Sequence, residues 1–200
     1  MTKVHKTKYK PAPVRETLIQ MKDISELMID LAYSAALFHN KELAEEVMEL
    51  EIKVDDLAYI LNMNLMLAAR DRHDAETLAG VAKIGSLTNA ISDAAADIAS
   101  LVLHNIEVHS AVREAFQGVE EHLDRVVVSD RSFLCGNTVD DLDLASEVGV
   151  DIIAIRRGNI WHINPDKELI IPGDILVARG TEEGLEHLSA AARGEVKDFE

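Results

Sequence analysis

The chain is poor in cysteine, proline, aromatic residues and positive charge. Its 200 residues hold one cysteine, Cys135, so no intrachain disulfide can form. That usage fits a reducing compartment rather than a small secreted scaffold stapled by bridges. Lys and Arg number 20 against 36 Asp and Glu, giving a net charge of −16. A domain that grips nucleic acid through its phosphates carries a basic face, so nucleic acid is excluded as an expected partner. No apolar run approaches the roughly 20 residues that span a bilayer, and no N-terminal apolar stretch resembles a signal peptide. No transmembrane segment is expected, and the expected location is cytoplasmic. Glycine-rich phosphate loops and the Gly-x-Ser-x-Gly elbow are also missing, which removes the common nucleotide folds and serine hydrolases from consideration.

What is present divides the chain in two. Residues 1–13 form a basic tail with Lys3, Lys6, Lys8 and Lys10 and no acid. From 14 to 112 the apolar residues recur at steps of three and four, the period of amphipathic helices. Leu18, Met21, Ile24, Met28 and Leu31 mark a first helix over 14–38. Asn40 is placed to cap a second over 41–70. Its main stripe is Leu43, Val47, Leu50, Val54, Leu57, Leu61 and Leu65. A second stripe, Met48, Ile52, Tyr59, Met63 and Met66, lies on another side, which predicts neighbours on two sides. Asp71 or Asp74 caps a third helix from about residue 75. Its apolar face reads Ile84, Leu87, Ile91, Ala95, Ile98 and Val102. From Ala79 to Ile106 the formal charges are Lys83, Asp93 and Asp97 alone. That predicts a helix buried nearly all round. Three long helices with short turns make an antiparallel bundle.

A charged stretch over 113–121 reads as a linker. From residue 122 the period becomes two. Strands are expected at 125–129, 151–157, 160–163 and 175–179, with a short helix over 139–147 capped by Thr138. Gly158-Asn159 signals a two-residue hairpin, and Pro172-Gly173 a turn. Thr181 caps a last helix to about residue 192, and 193–200 is read as a frayed tail. The fold class is therefore an antiparallel three-helix bundle followed by a small α+β domain over 122–192.

Two groups of residues carry chemistry. Glu51-x-x-x-Asp55 and Asp93-x-x-x-Asp97 each stack two carboxylates on one helix face, a turn apart. Two such helices side by side present four carboxylates to one point. They are either solvated helix acids or a cation site. As all-oxygen donors they suit a hard divalent or ferric metal ion. No histidine has an acid three residues before it, so the Glu-x-x-His signature of di-iron bundles is missing. The second group is Arg156-Arg157-Gly158-Asn159 at the hairpin. It is either an exposed turn or an anion-clamping corner, because guanidinium forks and turn amides both favour phosphate. Cys135, without a marked histidine partner, reads as structural.

The run Leu134–Leu142, then Gly149–Gly158, then Ile171–Gly180 resembles the C-terminal subdomain of the RCK or TrkA family, which regulates potassium channels and transporters. Such subdomains are dimeric, and some bind cyclic di-AMP at the two-fold interface. The resemblance places a ligand site at Ile155, Arg156, Arg157, Asn159, Ile171 and Pro172, for a cyclic dinucleotide or other small anion. The run Glu49–Asp56 and the run Ile91–Ile98 are similar to the metal-binding motifs of PhoU-type bundles, and place a metal at Glu51, Asp55, Asp93 and Asp97. Ser92-Asp93-Ala94 departs from the Gly-Asp-His of that family's second motif. Together the resemblances imply a non-enzymatic homodimeric regulator of a membrane potassium or other cation transporter. A PhoU-type regulator of phosphate uptake is the alternative, and a metal-dependent enzyme using the helix carboxylates is a weaker one.

Overall fold

The structure, a computed structural model, describes residues 11–106, 109 and 122–199. Residues 1–10 of the expected basic tail and the expected linker at 113–121 lie outside the described residues. The chain divides into two compact units, Met1–Glu107 and Val108–Glu200.

The first unit holds α1 (Val14–Phe38), α2 (Lys41–Ala68) and α3 (Arg72–Leu103). Pro13 delays helix entry to Val14, because proline lacks the amide a helix interior needs. Its carbonyl accepts from the Thr17 amide at 3.0 Å. His39 ends α1 in the left-handed region (φ 52°), and the Asn40 amide returns to the Ala35 carbonyl. Asn40 then caps α2, accepting from the Glu42 and Leu43 amides. Asp71 caps α3 by accepting from the Asp74 amide at 2.9 Å. Side-chain oxygens thus satisfy the amides that open α2 and α3.

The core draws large residues from α1 and α2 and small ones from α3. Met21, Met28, Leu31, Leu43, Val47, Leu50, Val54 and Leu61 are essentially fully buried. From α3 the buried residues are Gly85, Ser92, Ala95, Ala96, Ala99 and Val102. A Cβ added at Gly85 would fall 2.3 Å from Leu61 Cδ2, so α2 and α3 approach closely there. Ser25 Oγ and Ser92 Oγ share a hydrogen bond of 2.8 Å, and Ser25 also donates to the Met21 carbonyl.

Of the expected core face of α3, Ala95 and Val102 are buried, but the long residues at its N-terminal end are not. Ile84 is 59% exposed, Leu87 52% and Ile91 46%. The side that packs inward is the small-residue side, since close helix approach excludes long side chains. Nor is α2 covered on two sides: Ile52, Tyr59 and Met66 are exposed within the single chain.

The second unit has the order β1 (His122–Val127), α4 (Val139–Leu142), α5 (Leu144–Val148), β2 (Val150–Arg157), β3 (Ile160–Ile163), β4 (Ile175–Gly180) and α6 (Glu182–Arg193). The strands form one antiparallel sheet in the order β1-β4-β2-β3. A bulge between Ile152 and Ala154 shifts the phase of β2. Val126, Ile152, Ile155, Leu176, Leu185 and Leu188 belong to one buried cluster. The expected single helix over 139–147 is two pieces. Thr138 caps the first, with Asp141 in the reciprocal position. Asp143 then turns left-handed (φ 42°) and ends it. The C-terminal stretch is not frayed. Beyond Gly194, the Phe199 ring packs edge-on to Phe133 at 4.9 Å.

Candidate functional site

The four helix carboxylates come together electrostatically. Glu51 is half-buried on α2, while Asp55, Asp93 and Asp97 are exposed. The first pair and α3 are thus more solvated than their sequence pattern predicts. The Glu51 carboxyl is pushed above its ordinary range first by burial, then by the charges of Asp55, Asp93 and Asp97. Charges from its own helix and from α3 thus reach Glu51. Lys83 is exposed, and burial lowers the pKa of Lys53. His104 is bound to its own helix, with Nδ1 2.7 Å from the Ser100 carbonyl.

Between the helices the site continues as a groove of about 270 Å³, lined by Ala58, Leu61, Asn62, Gly85, Ser86, Asn89, Ala90 and Asp93. Asn89 Nδ2 reaches Asp93 Oδ1 at 3.4 Å, and its Oδ1 is buried without a partner. All donors here are oxygens, the set that hard cations take. A cation would relieve the repulsion at Glu51, so the residues fit one in charge. Among the described residues, however, no three His, Cys, Asp or Glu side chains are grouped as around a bound metal ion.

The second candidate is the end of β2. Here alternation separates the two arginines, since neighbouring strand residues point to opposite faces. Arg156 stands across from Trp161 on β3, with its guanidinium carbon 6.0 Å from the ring centroid, and Nε donates to the Gly158 carbonyl. Arg157 is engaged elsewhere. Its Nε and Nη2 donate to the two oxygens of Asp174, each at 2.8 Å, and Nη2 also donates to the Leu169 carbonyl. Asp174 is fully buried and accepts from the Ile171 amide at 2.9 Å. Hydrogen bonding to Asp174 raises the Arg157 pKa above its ordinary value. The two arginines therefore do not form a joint anion clamp.

Of the six residues expected here, Ile155 is wholly buried and serves the core. Arg157 staples the Ile171–Pro172 turn to β2 through Asp174. Arg156, Asn159, Ile171 and Pro172 reach the surface to differing degrees. Asp174, the residue that builds this corner, was not singled out by sequence. It follows Pro172-Gly173 and reads as one more turn acid. The signal available was two arginines preceding the hairpin with no nearby acid to neutralise them. Cys135 fits its structural reading: burial pushes its thiol up, and Sγ lies 3.4 Å from the Ser129 carbonyl.

These two units define a helical bundle carrying an acidic face, followed by a small antiparallel sheet domain. Residues 18–102 match the PhoU domain family, and residues 124–193 match the TrkA-C domain family. The chain is 38% identical over 87 residues to the Ktr system potassium uptake protein C of Bacillus subtilis, covering 42% of this chain and 38% of that one. It is 37% identical over 67 residues to a probable potassium channel protein 2 of Methanocaldococcus jannaschii, covering 33% and 20%. The chain thus spans well under half the length of these relatives. Among solved structures, the RCK C domain of the potassium transport protein KtrA in complex with cyclic diadenosine monophosphate aligns at 26% identity and TM-score 0.33, over 40% of this chain and 93% of that one. The GsuK channel bound to NAD aligns at 17% and TM-score 0.33, over 56% and 21%. No helix among the described residues is long and apolar enough to cross a membrane.

Proposed function

We propose that the chain is a non-enzymatic regulator of potassium transport. In this reading the sheet domain senses a small anionic ligand, and the helical bundle passes its binding state to a membrane transporter. One observation carries it: a TrkA-C domain over 124–193 joined to a PhoU domain, in a chain whose similar proteins include a potassium uptake component. The β2–β3 corner supports the ligand half. Arg156 and Asn159 offer a cation and an amide at the hairpin, while Asp174 and Arg157 hold the Ile171–Pro172 turn in place. A cyclic dinucleotide such as cyclic diadenosine monophosphate supplies two phosphates of the matching charge.

In the same reading the bundle half takes a hard metal ion at Glu51, Asp55, Asp93 and Asp97 on the ground of their charge alone, since no three of the described acids are grouped as ligands. Bound there, a divalent or ferric ion neutralises a field that now works against Glu51. The match of 18–102 to the PhoU domain favours a second reading, metal-linked control of phosphate uptake. The two are separated by binding cyclic diadenosine monophosphate to the full chain in a thermal-shift titration. An upward shift of several degrees, lost in Arg156→Ala and Asn159→Ala, is expected. No shift at millimolar ligand removes the sensing half of the proposal. Phosphate uptake that changes on deletion, with potassium uptake constant, selects the second reading.

A further inference from the structure

The exposed face of α3 is more regular than a solvated helix needs. Ile84, Leu87, Ile91, Ala94, Ile98 and Leu101 follow one another at steps of three, four, three, four and three. That is a heptad seam, with isoleucine at every first position and Leu, Ala, Leu at every second. Ile84, Leu87 and Ile91 are about half exposed, Leu101 is 36% exposed, Ala94 is exposed and Ile98 half-buried. The fully buried residues of α3 lie on a neighbouring side of the helix, and the first unit leaves about half of Ile84, Leu87 and Ile91 uncovered. α2 offers no equivalent. Its exposed Ile52, Tyr59 and Met66 occupy one position per heptad, with Asp55 and Asn62 between them.

We propose that this seam pairs with the same seam of a second copy, antiparallel, about a two-fold axis between Ile91 and Ala94. A heptad repeat of this kind is satisfied by another helix of the same repeat, and an isologous contact needs one self-complementary surface. Antiparallel pairing lays each isoleucine on a residue of the second heptad position. Ile84 layers on the partner's Leu101, Leu87 on the partner's Ile98, and Ile91 on the partner's Ala94. The smallest layer then lies beside the axis, where helices come nearest.

Charge decides the direction. Lys83 stands beside one end of the seam and Asp97 near the other, and over Ala79–Ile106 the remaining formal charge is Asp93. Lys83 and Asp97 precede Ile84 and Ile98 and so share one flank of the seam, which parallel pairing would set against the partner's uncharged Thr88, Ala95 and Val102. Antiparallel pairing brings each Lys83 to the end of the seam where the partner's Asp97 lies. Opposite charges flanking an apolar seam are the arrangement that sets orientation in paired helices. The homodimer implied by the family resemblance thereby acquires a face that lies in the bundle, and the pairing does not depend on the ligand or metal reading.

The test is disulfide trapping in the full chain with Cys135→Ser, so that one introduced thiol remains. In an antiparallel pair, Ala94→Cys places two thiols on either side of the axis, roughly 4.5 Å apart along the helix at about 1.5 Å per residue. Ile84→Cys places them about 25 Å apart along the helix. The expected result is rapid oxidation of Ala94→Cys to a linked dimer and none for Ile84→Cys. Adding Ile91→Glu to the Ala94→Cys chain should cut linking at least tenfold. Because Ile91 is exposed in the single chain, circular dichroism should be unchanged. Linking at both positions makes the pair parallel and overturns the proposal. So does a chain that sediments as a dimer yet does not link at Ala94→Cys, or linking that survives Ile91→Glu.

Discussion

Asp174 is the residue on which the sheet domain's corner depends. It is buried, it meets Arg157 through two hydrogen bonds, and it holds the Ile171 amide. Removing one partner of a buried pair strands the other, which costs about 3–5 kcal/mol when both are sealed from water. The Arg157 side chain keeps 31% of its exposure. Asp174→Ala is therefore expected to cost about 2–4 kcal/mol in urea unfolding, somewhat below the sealed case. Glu51 gives the opposite sign. Its pKa is raised in the folded state, so the folded chain holds the proton more tightly than the unfolded one. The stabilisation from that proton is full below the ordinary glutamate value of 4.5 and is lost as pH rises through the folded value. Metal-free Glu51→Gln should melt a few degrees above the parent chain at pH 7 and level with it at pH 3.5. A mutant no more stable than the parent at pH 7 would show that the four carboxylates do not act on one another.

At the scale of elements, the contact between α2 and α3 turns on Gly85. Alanine there gains about 0.8–1 kcal/mol in helix propensity. Overpacking a filled interior costs about 1–3 kcal/mol, and the new methyl would meet the tip of Leu61, a side chain 1% exposed. Gly85→Ala is thus expected to lower stability by about 1 kcal/mol, read as a fall in the unfolding midpoint, whereas Gly80→Ala, with open space around it, should raise it. The elements themselves were legible from sequence because their signals are local. Asn40, Asp71, Thr138 and Thr181 each cap the helix they precede. Gly149 and Gly158 mark their turns with positive φ. The acid pairs were legible too, as a spacing. The face of α3 was not. Periodicity reports that an apolar stripe exists, not what covers it, and α3 carries two stripes. The one with glycine, serine and alanine wins the core because it permits closer packing. Nor could sequence place Arg157, since its partner Asp174 lies seventeen residues on, in the turn before β4.

At the scale of the whole molecule, the net charge of −16 governs association. Two copies repel at long range, and about 10 Å of screening length at 0.1 M salt shortens that repulsion. Pairing through α3 is apolar at its centre, so added salt weakens the repulsion more than the attraction. Dimer affinity by sedimentation should therefore rise between 20 and 200 mM salt (~tenfold span). A fall would mean that ion pairs carry the association. Divalent cations should act beyond their ionic strength if the carboxylate field binds them. In metal titrations, Asp55→Asn with Asp93→Asn should erase that excess.

The Arg157–Asp174 staple has a consequence for the ligand sensing proposed above. It joins the end of β2, the Leu169 carbonyl and the Ile171 amide into one stiff corner. A ligand docking against Ile171 and Pro172 meets a surface already shaped, so little chain order is lost on binding. Such a corner responds as a lever rather than as a latch. In the proposed reading it would not close over a ligand, and the signal would leave as a displacement of the strands to which it is fixed.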